Sequence, residues 1–232
     1  MERHYKQEFL GSLIVVIVFL ISGAISASEQ PPAGVKVIEA PDLKVGDTWT
    51  YIYKEGSVLK TAGEVETSKR VYIVESITDK EIIVAVSRGE GEAWWKETYD
   101  RQWNTISHPD RGDHQFREFS PSSMSFVFPL WEGKKWKAKY KVKTAIWEGD
   151  YESKGMVVGW EKVTVPAGTF EALKIVNKIT WSRRRTDTHR DFEGEGEAIF
   201  WYAPEVKRFV KSTWEFLEAR AGLDVVRRTQ LS

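Results

Sequence analysis

Cysteine is absent from this 232-residue chain, which removes disulfides, thiol nucleophiles and thiolate metal sites together. Net charge is also missing. Lys+Arg and Asp+Glu both total 34, so no global field draws the chain toward nucleic acid or an acidic substrate. There is no Gly-x-Ser-x-Gly elbow, and no segment carries a 3.6-residue apolar period over three helical turns. What remains is a foldable β-type composition, 41% hydrophobic and 29% charged, with an excess of aromatics: 11 Trp, 8 Tyr and 11 Phe. Large aromatics suit sheet cores and ligand surfaces alike.

The first 27 residues read as a targeting segment outside the fold. Arg3 and Lys6 precede the apolar core Leu13–Ile21 (LIVVIVFLI), and Ser22–Ser28 supplies small residues, the pattern of a secretory signal cleaved after Ser26 or Ala27. The alternative is an uncleaved membrane anchor, because Leu10–Ala27 approaches the ~18 apolar residues of a span. The expected location is therefore periplasmic or extracellular, or N-terminally anchored if cleavage fails. Residues 28–42, with Pro31, Pro32 and Pro41, read as a linker, and residues 43–232 as a single β domain.

Strand signals then follow one another. Trp49, Tyr51 and Tyr53 alternate onto one face, Val71–Ile77 and Ile82–Val86 form a hairpin, and Ala93–Thr105 is strand-like. Ser107–Ser125, broken by Pro109, Gly112 and Pro121, reads as the longest loop. In Trp136–Ile146 the period of two is plain: Trp136, Ala138, Tyr140, Val142, Thr144 and Ile146 share one face and five lysines the other. The lysine ladder is a solvated face that discourages edge pairing, or else a surface for a polyanion. Around Pro166-Ala167-Gly168 a three-residue loop joins Tyr151–Val165 to Phe170–Trp181. Val210, Trp214 and Phe216 share a face of a later strand. About ten strands imply an all-β fold, an antiparallel sheet curled into a barrel-like or sandwich architecture. GDTWTY against GKKWKAKY, and GEGEAWW against GEGEAIFW, suggest two similar halves, 43–128 and 129–232.

Three segments, VGDTWTY, GWEKVTVPAGTFEALKI and FWYAPEVKRFVK, resemble the exported bacterial TapB family, a domain of unknown function. The resemblance covers roughly Val45–Lys211. It implies an exported antiparallel β domain, often lipoprotein-anchored, without established enzymatic activity and with no catalytic residues to transfer. This chain lacks the anchoring cysteine.

Four candidate sites emerge. Trp94 and Trp95 are adjacent, so a regular strand sends them to opposite faces, and Trp94, Trp103, Trp131 and Trp160 are candidates for stacking on a ligand. Arg183, Arg184 and Arg185 form an anion-binding candidate, balanced by Asp187, Asp191 and nearby Glu. His108 to His114 collects two His and two Asp in seven residues, without the spacing of a known metal site, and contains an Arg111-Gly112-Asp113 tripeptide. The lysine face is the fourth. No cofactor is expected, and the sequence sets no oligomeric state. The expected role is a non-enzymatic envelope protein holding a lipid or other amphipathic ligand against an aromatic sheet. The alternatives are a module binding envelope glycan or protein through exposed Trp and the lysine face, and a metal-dependent enzyme at the histidine loop.

Overall fold

The computed structural model describes residues 30–57, 66–89, 94–109, 116–220 and 223–231. The leader, the Arg-Gly-Asp tripeptide and His114 lie outside the described residues.

Alternating apolar and polar residues make strands throughout: β1 (Thr48–Ser57), β2 (Glu66–Ile77), β3 (Glu81–Ser87), β4 (Trp95–Asp100), β5 (Thr105–Pro109), β6 (Phe116–Ser120), β7 (Lys135–Lys143), β8 (Trp147–Val165), β9 (Gly168–Arg185), β10 (Asp191–Ala203), β11 (Arg208–Arg220) and β12 (Leu223–Leu231). The helical content among the described residues is one 3-10 turn, Pro204–Val206. Each strand pairs antiparallel with its sequence neighbours, and β1 also pairs with β12, Tyr53 opposite Leu231, so the ladder closes into a barrel. Closure leaves no edge to blunt. The all-β antiparallel expectation holds, in its barrel form.

In β7 the buried–exposed alternation is perfect: Trp136, Ala138, Tyr140 and Val142 are buried and the lysines exposed. The strand stops at Lys143, earlier than its apolar pattern suggests. Thr144 accepts from the Ile146 and Trp147 amides through its hydroxyl and reverses the chain into β8. Two glycines make the aromatic core possible. A Cβ on Gly155 would lie 2.0–2.5 Å from the Trp136 indole, and one on Gly194 would lie 2.3–2.7 Å from the Trp181 indole. Gly155→Ala and Gly194→Ala are each expected to cost about 1–3 kcal/mol by overpacking, read as a lower denaturation midpoint at unchanged m-value.

A non-strand segment, residues 122–130, folds into the core. Phe126 packs on Phe200 at 5.0 Å between ring centroids. Irregular backbone buried this way needs hydrogen-bond partners, and side chains supply them. Asn104 donates to Phe126 O (2.8 Å) and accepts from its amide (2.7 Å). Trp136 Nε1 donates to Met124 O, Asn177 to Ser125 O, and Lys134 Nζ to Val127 O and Pro129 O. Burial holds the Lys134 ammonium below its ordinary pKa. The arm before β1 is docked here too, through Ile38 pairing with Leu130.

Three local expectations need correction. The stretch from Ser107 to Ser125 is not one loop: it holds the end of β5, whose burial does not alternate, and all of β6, a strand of only five residues. The hairpin at Pro166 is tighter than three residues, since Val165 pairs with Gly168, whose φ of 141° favours glycine. A register shift between Trp201 and Tyr202 separates Val210 from Trp214 and Phe216. Val210 joins Val163, Ala172, Trp201 and Ala203 in a second cluster, while Trp214 and Phe216 pack on the main core. In that second cluster Trp201 Nε1 donates to Glu161 (2.7 Å), and this bond with Lys174 (3.0 Å) holds the Glu161 carboxyl below its ordinary pKa.

Candidate functional site

A concavity of about 910 Å³ lies across β6 to β11 and is built by register. Tyr140 on β7 opposes Tyr151 on β8, Tyr151 opposes Trp181 on β9, and Trp181 opposes Gly194 on β10. Because Gly194 presents no side chain, the Trp181 ring lies over it and the row closes up. Tyr140 and Tyr151 stack at 5.4 Å and Tyr151 and Trp181 at 5.8 Å, with interplanar angles of 18° and 19°. The neighbours of this row also line the cavity: Lys139 and Lys141, Asp150 and Glu152, Thr180 and Ser182, Glu193 and Glu195, with Leu217 at one side. The wall therefore joins an aromatic band to charges of both signs.

Two lysines of the ladder are matched by register, while Lys137 stands opposite Lys154. Lys141 faces Asp150 at 3.2 Å and Lys139 faces Glu152 at 3.7 Å. Exposed pairs of this kind contribute ~0–1 kcal/mol each, so their effect is on the sign and pattern of the surface, not on stability. The cavity margin is zwitterionic, not a cationic track.

The four tryptophans singled out from sequence occupy separate places. Trp94 precedes β4 and is 51% exposed. Trp103 is buried and packs edge-on against Trp49 and Tyr99. Trp131 is buried beside the Lys134 ammonium, 4.4 Å from its ring. Trp160 on β8 is half-buried with Lys36 Nζ at 4.0 Å from its ring. The large concavity is lined by Trp181 instead.

The arginine run is divided by strand alternation. Arg183 lies 4.6 Å from the Trp147 ring and 5.8 Å from that of Phe192. Arg184 pairs with Asp191 at 3.7 Å. Arg185 grips Asp187 with two bonds of 2.8 and 2.6 Å, which hold the Asp187 carboxyl well below the usual carboxylate range. His108 shares Nδ1 with Pro109 O at 2.7 Å and packs on Phe119. Among the described residues no three His, Asp or Glu side chains gather as a metal site.

Sequence reasoning passed over a second constellation. Arg208, 3% exposed, is surrounded by the rings of Trp49, Tyr51, Tyr72, Tyr99, Trp103 and Phe209, 4.3–5.8 Å away. Three of these side chains fix the backbone around it. Trp49 Nε1 donates to Val206 O (2.8 Å), Trp103 Nε1 to Lys207 O (2.9 Å) and Tyr51 Oη to Phe209 O (2.5 Å). Lys207, at φ 59°, reaches Asp47 at 3.2 Å. Two of the segments carrying the family resemblance, VGDTWTY and FWYAPEVKRFVK, thus meet at Arg208.

No family model matches the chain, and no curated protein matches it. Two solved structures are similar to it. One is a proposed lipoprotein of Parabacteroides distasonis ATCC 8503, 16% identical with a TM-score of 0.40. The other is a proposed exported protein with a YmcC-like fold from Bacteroides fragilis NCTC 9343, 13% identical with a TM-score of 0.41. In both cases the match covers 84% of this chain and 98% of the other.

Proposed function

We propose that this is an exported, non-enzymatic cell-envelope protein that holds a hydrophobic or amphipathic ligand in the concavity across β6 to β11. The observation that carries this reading is the row Tyr140–Tyr151–Trp181 lining a space of about 910 Å³. That volume lies within the ~300–1,000 Å³ of small-molecule sites, which pair an apolar wall with a few placed polar groups. Aromatic faces offer apolar area to an acyl chain or a ring, while Lys139, Lys141, Asp150 and Glu152 suit a zwitterionic head better than a polyanion. Export follows from the apolar leader at Leu13–Ile21.

The test is a titration with a fluorescent fatty-acid probe and its displacement by lysophospholipid. Leu217→Asp places a charge in the cavity wall at a residue already 38% exposed, so folding is little affected. Probe affinity is expected to fall about tenfold or more, the equivalent of ~1.4 kcal/mol. Val158→Asp changes a residue of similar exposure (41%) outside that wall, and is expected to leave binding intact. Equal losses in both variants, or no binding by the unmodified chain, would sink the reading. Binding of a glycan array with no binding of acyl probes would favour the interaction-module alternative.

A further inference from the structure

An apolar row lies among charged ones on the outer face of the barrel. Met156 on β8, Val176 on β9 and Ile199 on β10 pair in that order, with Lys135 on β7 and Thr213 on β11 at its two ends. Their strand neighbours Val157, Ile175, Asn177, Ala198 and Phe200 are buried, so the row points away from the lumen. Met156 is 36% exposed, and Val176 and Ile199 are half-buried. Apolar side chains gathered on an outward sheet face mark an interaction surface.

The next outward row carries charge with a polarity. Lys137, Lys154, Lys178, Glu197 and Glu215 pair in that order from β7 to β11. Cations therefore occupy β7 to β9 and carboxylates β10 and β11. Such a face is complementary to itself. A twofold axis in the contact plane, running along β9, lays β8 of one copy on β10 of the other, because both strands lie about 5 Å from that axis. Lys154 then meets the partner's Glu197 and Lys137 meets the partner's Glu215, each contact made twice. Lys178 sits near the axis, between the two Glu197 carboxylates. In the apolar row Met156 meets the partner's Ile199, and the two Val176 side chains meet on the axis. Lys154 leans on Glu152 of its own strand at 3.7 Å with its side chain 61% exposed, so it is able to turn to an acid across the face.

We propose that the outer face of β8 to β10 forms a twofold interface with a second copy of this chain. The apolar row supplies the attraction, and the charged row fixes the register and rejects other alignments. The apolar area is small, which sets the dissociation constant in about the micromolar range. None of these residues lines the β6–β11 cavity, so the interface stands apart from ligand binding.

Sedimentation velocity of the protein, expressed with its leader and isolated from the envelope fraction, is expected to show a reversible dimer between about 1 and 100 µM. Met156→Asp, a change at an exposed position, is expected to leave a folded monomer over that range. Lys154→Glu and Glu197→Lys each bring like charges together twice per dimer, and each is expected to raise the dissociation constant about tenfold or more. The double variant exchanges the signs across the axis and is expected to return to within about threefold of the wild-type value. A wild type monomeric at about 100 µM, a dimer persisting in Met156→Asp, single charge variants with unchanged association, or a double variant no tighter than the singles each overturns the proposal. So does a monomer that binds anionic vesicles through this face, which would assign the row to a membrane. Circular dichroism checks the fold of Met156→Asp; should it fail to fold, the charge variants decide the matter.

Discussion

Raising the pH from 10 to 12 is expected to unfold this protein. Burial raises the pKa of Tyr51, Tyr72, Tyr99, Tyr140 and Tyr202 above the ordinary phenol value, Tyr72 to about 12. In the unfolded chain the same phenols titrate near 10. Above pH 10 the unfolded state has released protons that the folded state keeps, so stability falls as pH rises. The contribution is fully present below pH 10 and is lost progressively up to the folded pKa values. Each tyrosine contributes a slope of about 1.4 kcal/mol per pH unit, and five together about 7, comparable with the ~5–15 kcal/mol total stability of a domain. Far-ultraviolet circular dichroism should show a cooperative transition within about one or two pH units above 10, coincident with the tyrosinate absorbance at 295 nm. Absorbance rising near pH 10 while the fold persists to 12 would show that these phenols are not buried in solution.

Trp103→Ala is expected to destabilise the barrel by about 3–5 kcal/mol. The ring is buried against Trp49 and Tyr99, and its Nε1 is one of three donors holding the backbone around Arg208. Its backbone sits at φ 64°, a left-handed conformation that costs a non-glycine residue about 1–3 kcal/mol. Asp100 sets that turn by accepting from the amides of Gln102 and Asn104. Trp103→Gly removes one more carbon than alanine but relieves the backbone, so it is expected to be no less stable than Trp103→Ala. Urea denaturation of the pair checks this, and a glycine variant clearly weaker than the alanine one would count against a strained turn.

The parts of the fold legible in the sequence are those stabilised within a single strand or hairpin. In β7 the alternation of lysines with Trp136, Ala138, Tyr140 and Val142 fixes both the strand and its buried face. The hairpin of β2 and β3 is as plain, because its valines and isoleucines repeat at two around a short turn. What stayed hidden is held together by distant partners. The 122–130 segment looks like loop because its backbone is satisfied by Asn104, Lys134, Trp136 and Asn177, none adjacent in sequence. Arg208 carries no local signal between Lys207 and Phe209, and the approach of β1 and the turn at Trp103 bury it. The cavity row escaped notice for a related reason: Tyr140, Tyr151 and Trp181 come from three strands, and the glycine that lets them close up, Gly194, lies on a fourth. Attention to tryptophan alone favoured Trp94, Trp103, Trp131 and Trp160, whereas pairing register decides which aromatics share a wall.

The claim at the centre of this account is that the concavity lined by Tyr140, Tyr151, Trp181 and Leu217 holds an amphipathic ligand. Native mass spectrometry tests it most directly, on the full chain expressed with its leader and isolated from the envelope fraction without detergent. The account predicts a discrete mass excess from an acyl-chain amphiphile, present in Val158→Asp and lost in Leu217→Asp. A bare polypeptide mass that stays bare after incubation with lysophospholipid would contradict it.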